Sequence, residues 1–112
     1  MTASDDTNVR AISGTTAVWL LTIVAEPAVE NRLVKEFAAA GATGFTKSQV
    51  SGEGSRSRRI SDLEGGSLRF EVLASEETAT TLMRVLERDY FGHYAVIAWL
   101  TQAHVSRADK FV

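Results

Sequence analysis

The sequence predicts an α+β domain in which four strands and two helices follow the order βαββαβ. Three observations lead there. Apolar residues form short bounded runs or alternate with period two in four places, and recur at helical spacing in two others. The chain has 112 residues, room for a single core given a usual domain size of about 100–150 residues. With one proline and 45% hydrophobic residues, the composition is that of a packed domain rather than a disordered or fibrous chain.

Met1 to Thr16 is polar and without a period, so residues 1–16 read as a flexible leader. The domain proper is expected over 17–105, with 106–112 as a C-terminal tail. Ala17 to Ala25, AVWLLTIVA, is an apolar run rich in branched side chains and suits a strand covered on both faces. Pro27 sits where a helix can start, because its missing N–H would be unpaired there anyway. Val29, Leu33, Val34 and Phe37 then mark one helical face, and Gly41 supplies the stop. Thr43 to Val50 returns to extended character, with Phe45, Lys47 and Gln49 on one face. Ser67 to Leu73 alternates, with Leu68, Phe70 and Val72 opposite Arg69 and Glu71. Ser75 can cap a second helix, whose first turn carries Glu76 and Glu77 as the helix dipole prefers. Its apolar stripe is Ala79, Leu82, Met83, Leu86 and Tyr90, and Gly92 is expected to end it. Tyr94 to Thr101 is the last strand, and the residues beyond form a mixed tail.

This order is the ferredoxin-like sandwich, in which two helices cover one face of a four-stranded antiparallel sheet. The other face is then bare. Because the first and last strands are apolar on both sides, and Trp19 and Trp99 lie on them, a single copy would expose a large apolar patch to water. Oligomerisation is the simplest remedy, with both tryptophans as interface residues.

Composition also excludes chemistry. With no cysteine there is no disulfide, thiolate metal site or cysteine nucleophile. Two histidines, His93 and His104, eleven positions apart and without acidic partners at ligand spacing, make no metal site. A net charge of −2 gives no general reason to bind nucleic acid, so any anion site must be local. The longest apolar run is far short of the roughly 18 residues that span a bilayer, and the polar start lacks a basic signal region, so a cytoplasmic location is expected.

Between the second and third strands lies Ser51 to Gly66, with four glycines and no apolar period, longer than an ordinary hairpin turn. Within it, Gly52-Glu53-Gly54-Ser55-Arg56-Ser57-Arg58-Arg59 places three guanidinium groups, two glycines and two hydroxyls in eight positions. Glycines let backbone N–H groups converge on an anion, hydroxyls add donors, and arginine forks match phosphate or carboxylate oxygens. A solvated basic loop answering Glu53, Asp62 and Glu64 has the same composition. Lys47, just before the loop, can reach toward an anion held there or serve as a strand-surface charge.

The stretch Gly41-Ala42-Thr43-Gly44-Phe45-Thr46, then Gly54-Ser55-Arg56 and Arg59, together with the turn Tyr90-Phe91-Gly92-His93-Tyr94-Ala95, resembles the PII-like signalling proteins associated with bicarbonate transport and carboxysomes. The likeness covers about residues 17–105 and fails in the tail. It implies a non-enzymatic homotrimer that binds an adenine nucleotide, ADP or AMP before ATP, in clefts between subunits. Bicarbonate is an implied co-ligand, and inorganic-carbon or energy status the implied signal. The long loop corresponds to the family's T-loop, through which a bicarbonate transporter or carboxysome-related protein would be contacted. By motif match Gly54, Ser55, Arg56 and Arg59 would face the phosphates, and Gly92, His93, Tyr94 and Ala95 would form the opposite wall. In the tail, outside the likeness, Arg107 and Lys110 can close over a neighbouring subunit's nucleotide or serve as solvated terminal charges. The nitrogen-sensing branch has a tyrosine in a longer loop and a lysine in the turn, and this chain has neither. Nor can it have the terminal cysteine pair common in the transporter-associated branch, which favours a carboxysome-associated one.

Other functions share this fold. A small phosphatase of the acylphosphatase type needs an arginine-bearing glycine-rich loop after the first strand, where this chain has Glu26-Pro27-Ala28. Ion-tolerance trimers and amino-acid-binding regulators have the same element order, and only the long Ser/Arg loop sets this chain apart from them.

Overall fold

In a computed structural model of the chain, residues 12–52 and 66–110 are described. β1 (Thr16–Ala25), α1 (Glu30–Ala39), β2 (Thr46–Val50), β3 (Ser67–Ala74), α2 (Glu76–Asp89) and β4 (Val96–Val105) follow in the predicted order. The four strands form one antiparallel sheet of order β2-β3-β1-β4. The α+β, ferredoxin-like βαββαβ class is therefore the observed one.

β1 is central. It pairs with β3 from Trp19↔Ala74 to Ala25↔Leu68 and with β4 from Thr16↔Val105 to Ala25↔Val96. Side chains alternate along each strand, so the register puts Leu21, Ile23 and Ala25 on one face with Leu68, Phe70, Val72, Ala74 and Val96. These residues are buried together with Val29, Leu33 and Phe37 from the first helical segment and Leu82, Leu86 and Tyr90 from the second. Phe37, Phe45 and Phe70 close the β2 side of this core, with ring centroids 5.4–5.9 Å apart. Phe37 and Phe70 are buried, and burying such a side chain contributes on the order of 3–5 kcal/mol, measured by truncation to alanine, whereas Phe45 is 42% exposed.

The helices begin and end for local reasons. Pro27 opens a single 3-10 turn, Pro27–Val29, before the α-helix starts at Glu30. At the far end of α1 the N–H of Gly41 donates to Ala38 (3.1 Å) and that of Ala42 to Phe37 (3.0 Å), a Schellman stop with Gly41 at φ +93°. The Ser75 hydroxyl accepts from the Thr78 N–H at 3.2 Å and so caps α2. The Thr78 hydroxyl in turn donates to the Ala40 carbonyl (3.2 Å), tying the start of α2 to the end of α1.

Several boundaries differ from the sequence reading, beginning with β1, which starts at Thr16 rather than Ala17. β2 starts at Thr46 rather than Thr43, because residues 43–45 approach the sheet before any ladder partner is available: the first pair is Thr46↔Glu71. β4 runs from Val96 to Val105, not Tyr94 to Thr101, since β1 offers pairing partners as far as Thr16. The tail continues as a 3-10 turn, Ala108–Lys110, fastened where the Thr43 hydroxyl donates to the Lys110 carbonyl at 2.7 Å. Gly92 does not stop α2 by a left-handed turn; the helix ends at Asp89, and the N–H groups of Tyr90 and Phe91 both return to the Leu86 carbonyl.

The second face of the sheet carries Val18, Leu20, Thr22 and Val24 of β1, Leu73 of β3, and Ile97, Trp99, Thr101 and Ala103 of β4. Ile97 and Trp99 are 51% and 42% exposed there. Trp19, paired with Gln102, lies on the helix-bearing face instead, so the two tryptophans point to opposite sides.

Gly66 leads back into β3 with φ +74°, and a Cβ there would sit 3.2 Å from the Val50 carbonyl oxygen. Backbone strain and crowding coincide at this position. Gly66→Ala is expected to cost at least about 1–2 kcal/mol in urea unfolding. Gly44→Ala, with open space and no positive φ, should stay within about 0.5 kcal/mol of the parent.

Candidate functional site

Antiparallel pairing brings three chain segments to one end of the sheet. β1 leaves at Ala25 into Glu26, β4 enters at Val96 from the turn 90–95, and the chain departs β2 at Val50 and re-enters β3 at Ser67. Gly54, Ser55, Arg56 and Arg59 lie outside the described residues. Their flanks, Val50 and Ser67, are paired at this end, and the Ser67 hydroxyl is buried there without a hydrogen-bond partner among the described residues.

The turn is bound into the fold by both its backbone and its rings. The His93 and Tyr94 N–H groups donate to the Tyr90 carbonyl at 2.9 and 3.0 Å. The Ala95 N–H donates to the Glu26 carboxylate at 2.7 Å, and the Glu26 N–H returns a bond to the Ala95 carbonyl at 3.0 Å. Among the described residues, that leaves Gly92 with the one uncommitted N–H between Phe91 and Ala95. Gly92, His93, Tyr94 and Ala95 can thus wall a site, but an anion would meet a single free backbone donor there.

Arg32 of α1 donates to the Tyr94 hydroxyl and lies over its ring, 5.7 Å from the centroid. Tyr94 also packs against Tyr90 (5.8 Å) and His93 (6.4 Å). His93 is exposed. Lys47 projects from the helix-bearing side of β2 onto Glu30, with which it forms an ion pair. As both partners are partly exposed, the pair is worth roughly 0–1 kcal/mol, so Lys47 can be recruited elsewhere cheaply.

Arg107 is at the other end. It follows β4, whose ten residues extend about 30 Å from Val96 to Val105. One chain therefore brings Lys47 and the turn together at the loop end and keeps Arg107 and Lys110 far from them.

Near Arg107 there is a feature the sequence reading did not single out. A concavity of about 480 Å³ is lined by Leu20, Leu73, Ala103 and Val105 on the bare sheet face, by Thr43 to Thr46, and by Glu71 and Lys110. Apolar walls with a few polar groups at the rim are what small-molecule sites present. The segment Gly41 to Thr46 was visible in the sequence as a motif, but its approach to Leu20 and Lys110 depends on pairings across the whole chain. His104, Ser106, Arg107 and Lys110 line a shallower depression alongside. No grouping of three or more potential metal ligands occurs among the described residues.

The family model for the nitrogen regulatory protein P-II matches residues 18–110. The chain belongs to the P-II family. A PII-like signalling protein from Thermus thermophilus is 44% identical and has a TM-score of 0.76, covering 88% of this chain and 98% of its own. CPII, a nitrogen regulatory PII-like protein from Thiomonas intermedia bound to ADP, AMP and bicarbonate, has a TM-score of 0.75 at 20% identity over 87% and 95% of the two chains. The GlnK–ATP complex of B. subtilis has a TM-score of 0.57 at 21% identity, with 85% of each chain covered. The last two establish the shared fold. A comparison with curated proteins gives no match. P-II proteins are regulatory signalling proteins, and among the described residues no helix is long and apolar enough to cross a membrane.

One group at the site titrates unusually. Burial, followed by the hydrogen bond its hydroxyl donates to Glu36 at 3.0 Å, pushes the Tyr90 phenol up from 10.0 to about 12. The proton is held more tightly in the folded chain than in an unfolded one. The resulting contribution to stability is complete below about pH 10 and lost as pH rises toward 12. Tyr90→Phe should remove the late phase of a phenolate-absorbance titration and flatten the fall in urea stability over that interval. A late phase that survives the substitution would assign it to another group.

Proposed function

We propose that this P-II family member is a non-enzymatic sensor that binds an adenine nucleotide, ADP or AMP before ATP, in clefts between the subunits of a homotrimer. The observation that carries this reading is the division of the candidate residues between two ends of the sheet about 30 Å apart. A cleft between copies unites them: the turn and Lys47 come from one subunit, and Arg107, Lys110 and the concavity from its neighbour. The bare face with Ile97 and Trp99 supplies the contact between copies, and membership in the P-II family supports three of them.

In this arrangement the base occupies the concavity against Leu20, Phe45 and Leu73, where Thr43 and Glu71 can hydrogen-bond its edge. The phosphates lie toward Gly54, Ser55, Arg56 and Arg59 and the Gly92 N–H, with Arg107 closing from the far side. Bicarbonate is a second ligand beside the phosphates, a pairing supported by the CPII complex. The loop 51–66 reports occupancy to a bicarbonate transporter or a carboxysome-related protein from the cytoplasm. Nitrogen sensing is not proposed, because the loop has no tyrosine and the turn no lysine.

Calorimetry of ADP with and without bicarbonate tests the reading, since linkage makes each ligand raise the other's affinity by the same factor. ADP binding with no change on adding bicarbonate would remove the carbon signal, and absence of binding would remove the sensor. Sedimentation should give a trimer; a stable monomer at micromolar concentration contradicts the shared site. The spacing Gly54-Ser55-Arg56…Arg59 further predicts that Arg59→Ala weakens ADP about ten- to a hundred-fold, through a lost charge-assisted hydrogen bond of roughly 1.5–3 kcal/mol. Arg58→Ala should cost well under about 1 kcal/mol. Equal losses would mean a diffuse basic patch.

A further inference from the structure

Arg32 and Glu36 lie one turn apart on α1, at the i, i+4 spacing where opposite charges ordinarily pair. Here they do not. Among the described residues neither is in an ion pair. A tyrosine holds each one instead: Arg32 donates to the Tyr94 hydroxyl and lies over its ring, and the Glu36 Oε2 accepts the Tyr90 hydroxyl at 3.0 Å. The other carboxylate oxygen, Oε1, has no hydrogen bond among the described residues. The two separated charges line a groove of about 480 Å³ between α1 and the end of α2, together with Lys35, Ala39, Asp89 and Tyr90. Lys35 adds a cation with no ion pair among the described residues, whereas both oxygens of Asp89 are taken by Arg88, at 3.0 and 2.8 Å. Tyr90 is only 3% exposed and gives the groove a fixed floor. The groove belongs to the helix-bearing side, away from the face that carries Ile97 and Trp99.

We infer that this groove binds a small zwitterion of the α-amino acid class. The ligand's carboxylate meets Arg32 and Lys35, and its ammonium group meets Glu36, so that one molecule completes the pairing the two tyrosines prevent. The arginine fork keeps donors beyond the one given to Tyr94, and the open oxygen of Glu36 is an acceptor for N–H groups. A simple anion would be repelled by Glu36, and a simple cation by Arg32 and Lys35. Only a ligand with both charges close together satisfies the two sides. Such a site is independent of the nucleotide reading, since it uses none of the residues assigned to the nucleotide.

Saturation-transfer NMR of the full chain with each standard L-amino acid screens for the ligand, and calorimetry measures the best binder. At least one should bind at millimolar concentration or below. N-acetylation of that amino acid and amidation of its carboxylate should each weaken binding about tenfold, because each removes one charge-assisted contact. Glu36→Gln, which keeps an acceptor for the Tyr90 hydroxyl, should weaken it by a similar factor. Lys35→Gln disturbs no hydrogen bond or ion pair among the described residues and should cost about two- to fivefold, as for an exposed pair. Glu87→Gln, on α2 outside the groove, should change nothing. Absence of binding by every amino acid at millimolar concentration would overturn the site. So would affinity that survives capping of either end of the ligand, or that is unchanged in both Glu36→Gln and Lys35→Gln. Amide shifts on titration should centre on Arg32 to Ala39 and on Asp89 and Tyr90; shifts centred on Thr43 to Thr46 would place the ligand in the other concavity and equally overturn the assignment.

Discussion

The structure depends on the pairing register of the central strand β1. It is hydrogen-bonded on both edges, and its odd-numbered residues Leu21, Ile23 and Ala25 are sealed beneath the helices. Its even-numbered residues, Val18, Leu20, Thr22 and Val24, share the opposite face with Ile97 and Trp99. A register slip of one residue would exchange the two sets and remove the core, so the pairing admits little freedom. Two helices can cover only one side of a four-stranded sheet. The other side has to be met by something else, and in a P-II family member the natural candidate is another copy of the same surface.

The same register sorts the polar groups. Every antiparallel strand that ends at Ala25 or Val50 has a partner beginning at Leu68, Val96 or Ser67, so Glu26, the turn 90–95 and the roots of the long loop come to one end. Arg107, Lys110 and the concavity around Thr43 and Glu71 are carried to the other. The two ends differ in character: one gathers the flanks of the arginine-bearing segment, Val50 and Ser67, the other an apolar recess with Thr43 and Thr46 at its rim. The proposed cleft between copies is one way to bridge that separation.

At the turn, rigidity has been obtained by using up donors. Tyr90 receives two N–H groups, Glu26 receives one, and Arg32 fixes Tyr94 through both its ring and its hydroxyl. The wall is therefore well defined yet nearly exhausted as a backbone anion site. In the proposed nucleotide site the attraction for phosphate would therefore come mainly from side chains, and the sequence offers the arginines between Gly54 and Arg59 for it.

The sequence by itself determined the element order, the Ser75 and Gly41 helix caps and the burial parity of β3. Ser75, Gly41 and the alternation Leu68-Phe70-Val72 are local signals that depend only on neighbouring residues. It also carried the motifs Gly41 to Thr46 and Gly54 to Arg59, and through them the family. Tertiary structure alone decided that β4 continues to Val105, that Trp19 and Trp99 face opposite sides, that Lys47 meets Glu30 and that Glu26 clasps Ala95. Each of these turns on a partner distant in the chain, up to 69 positions for Glu26 and Ala95. No periodicity within a window of ten or fifteen residues contains that information, because an extended strand or a carboxylate has no preferred partner until the sheet has set its register.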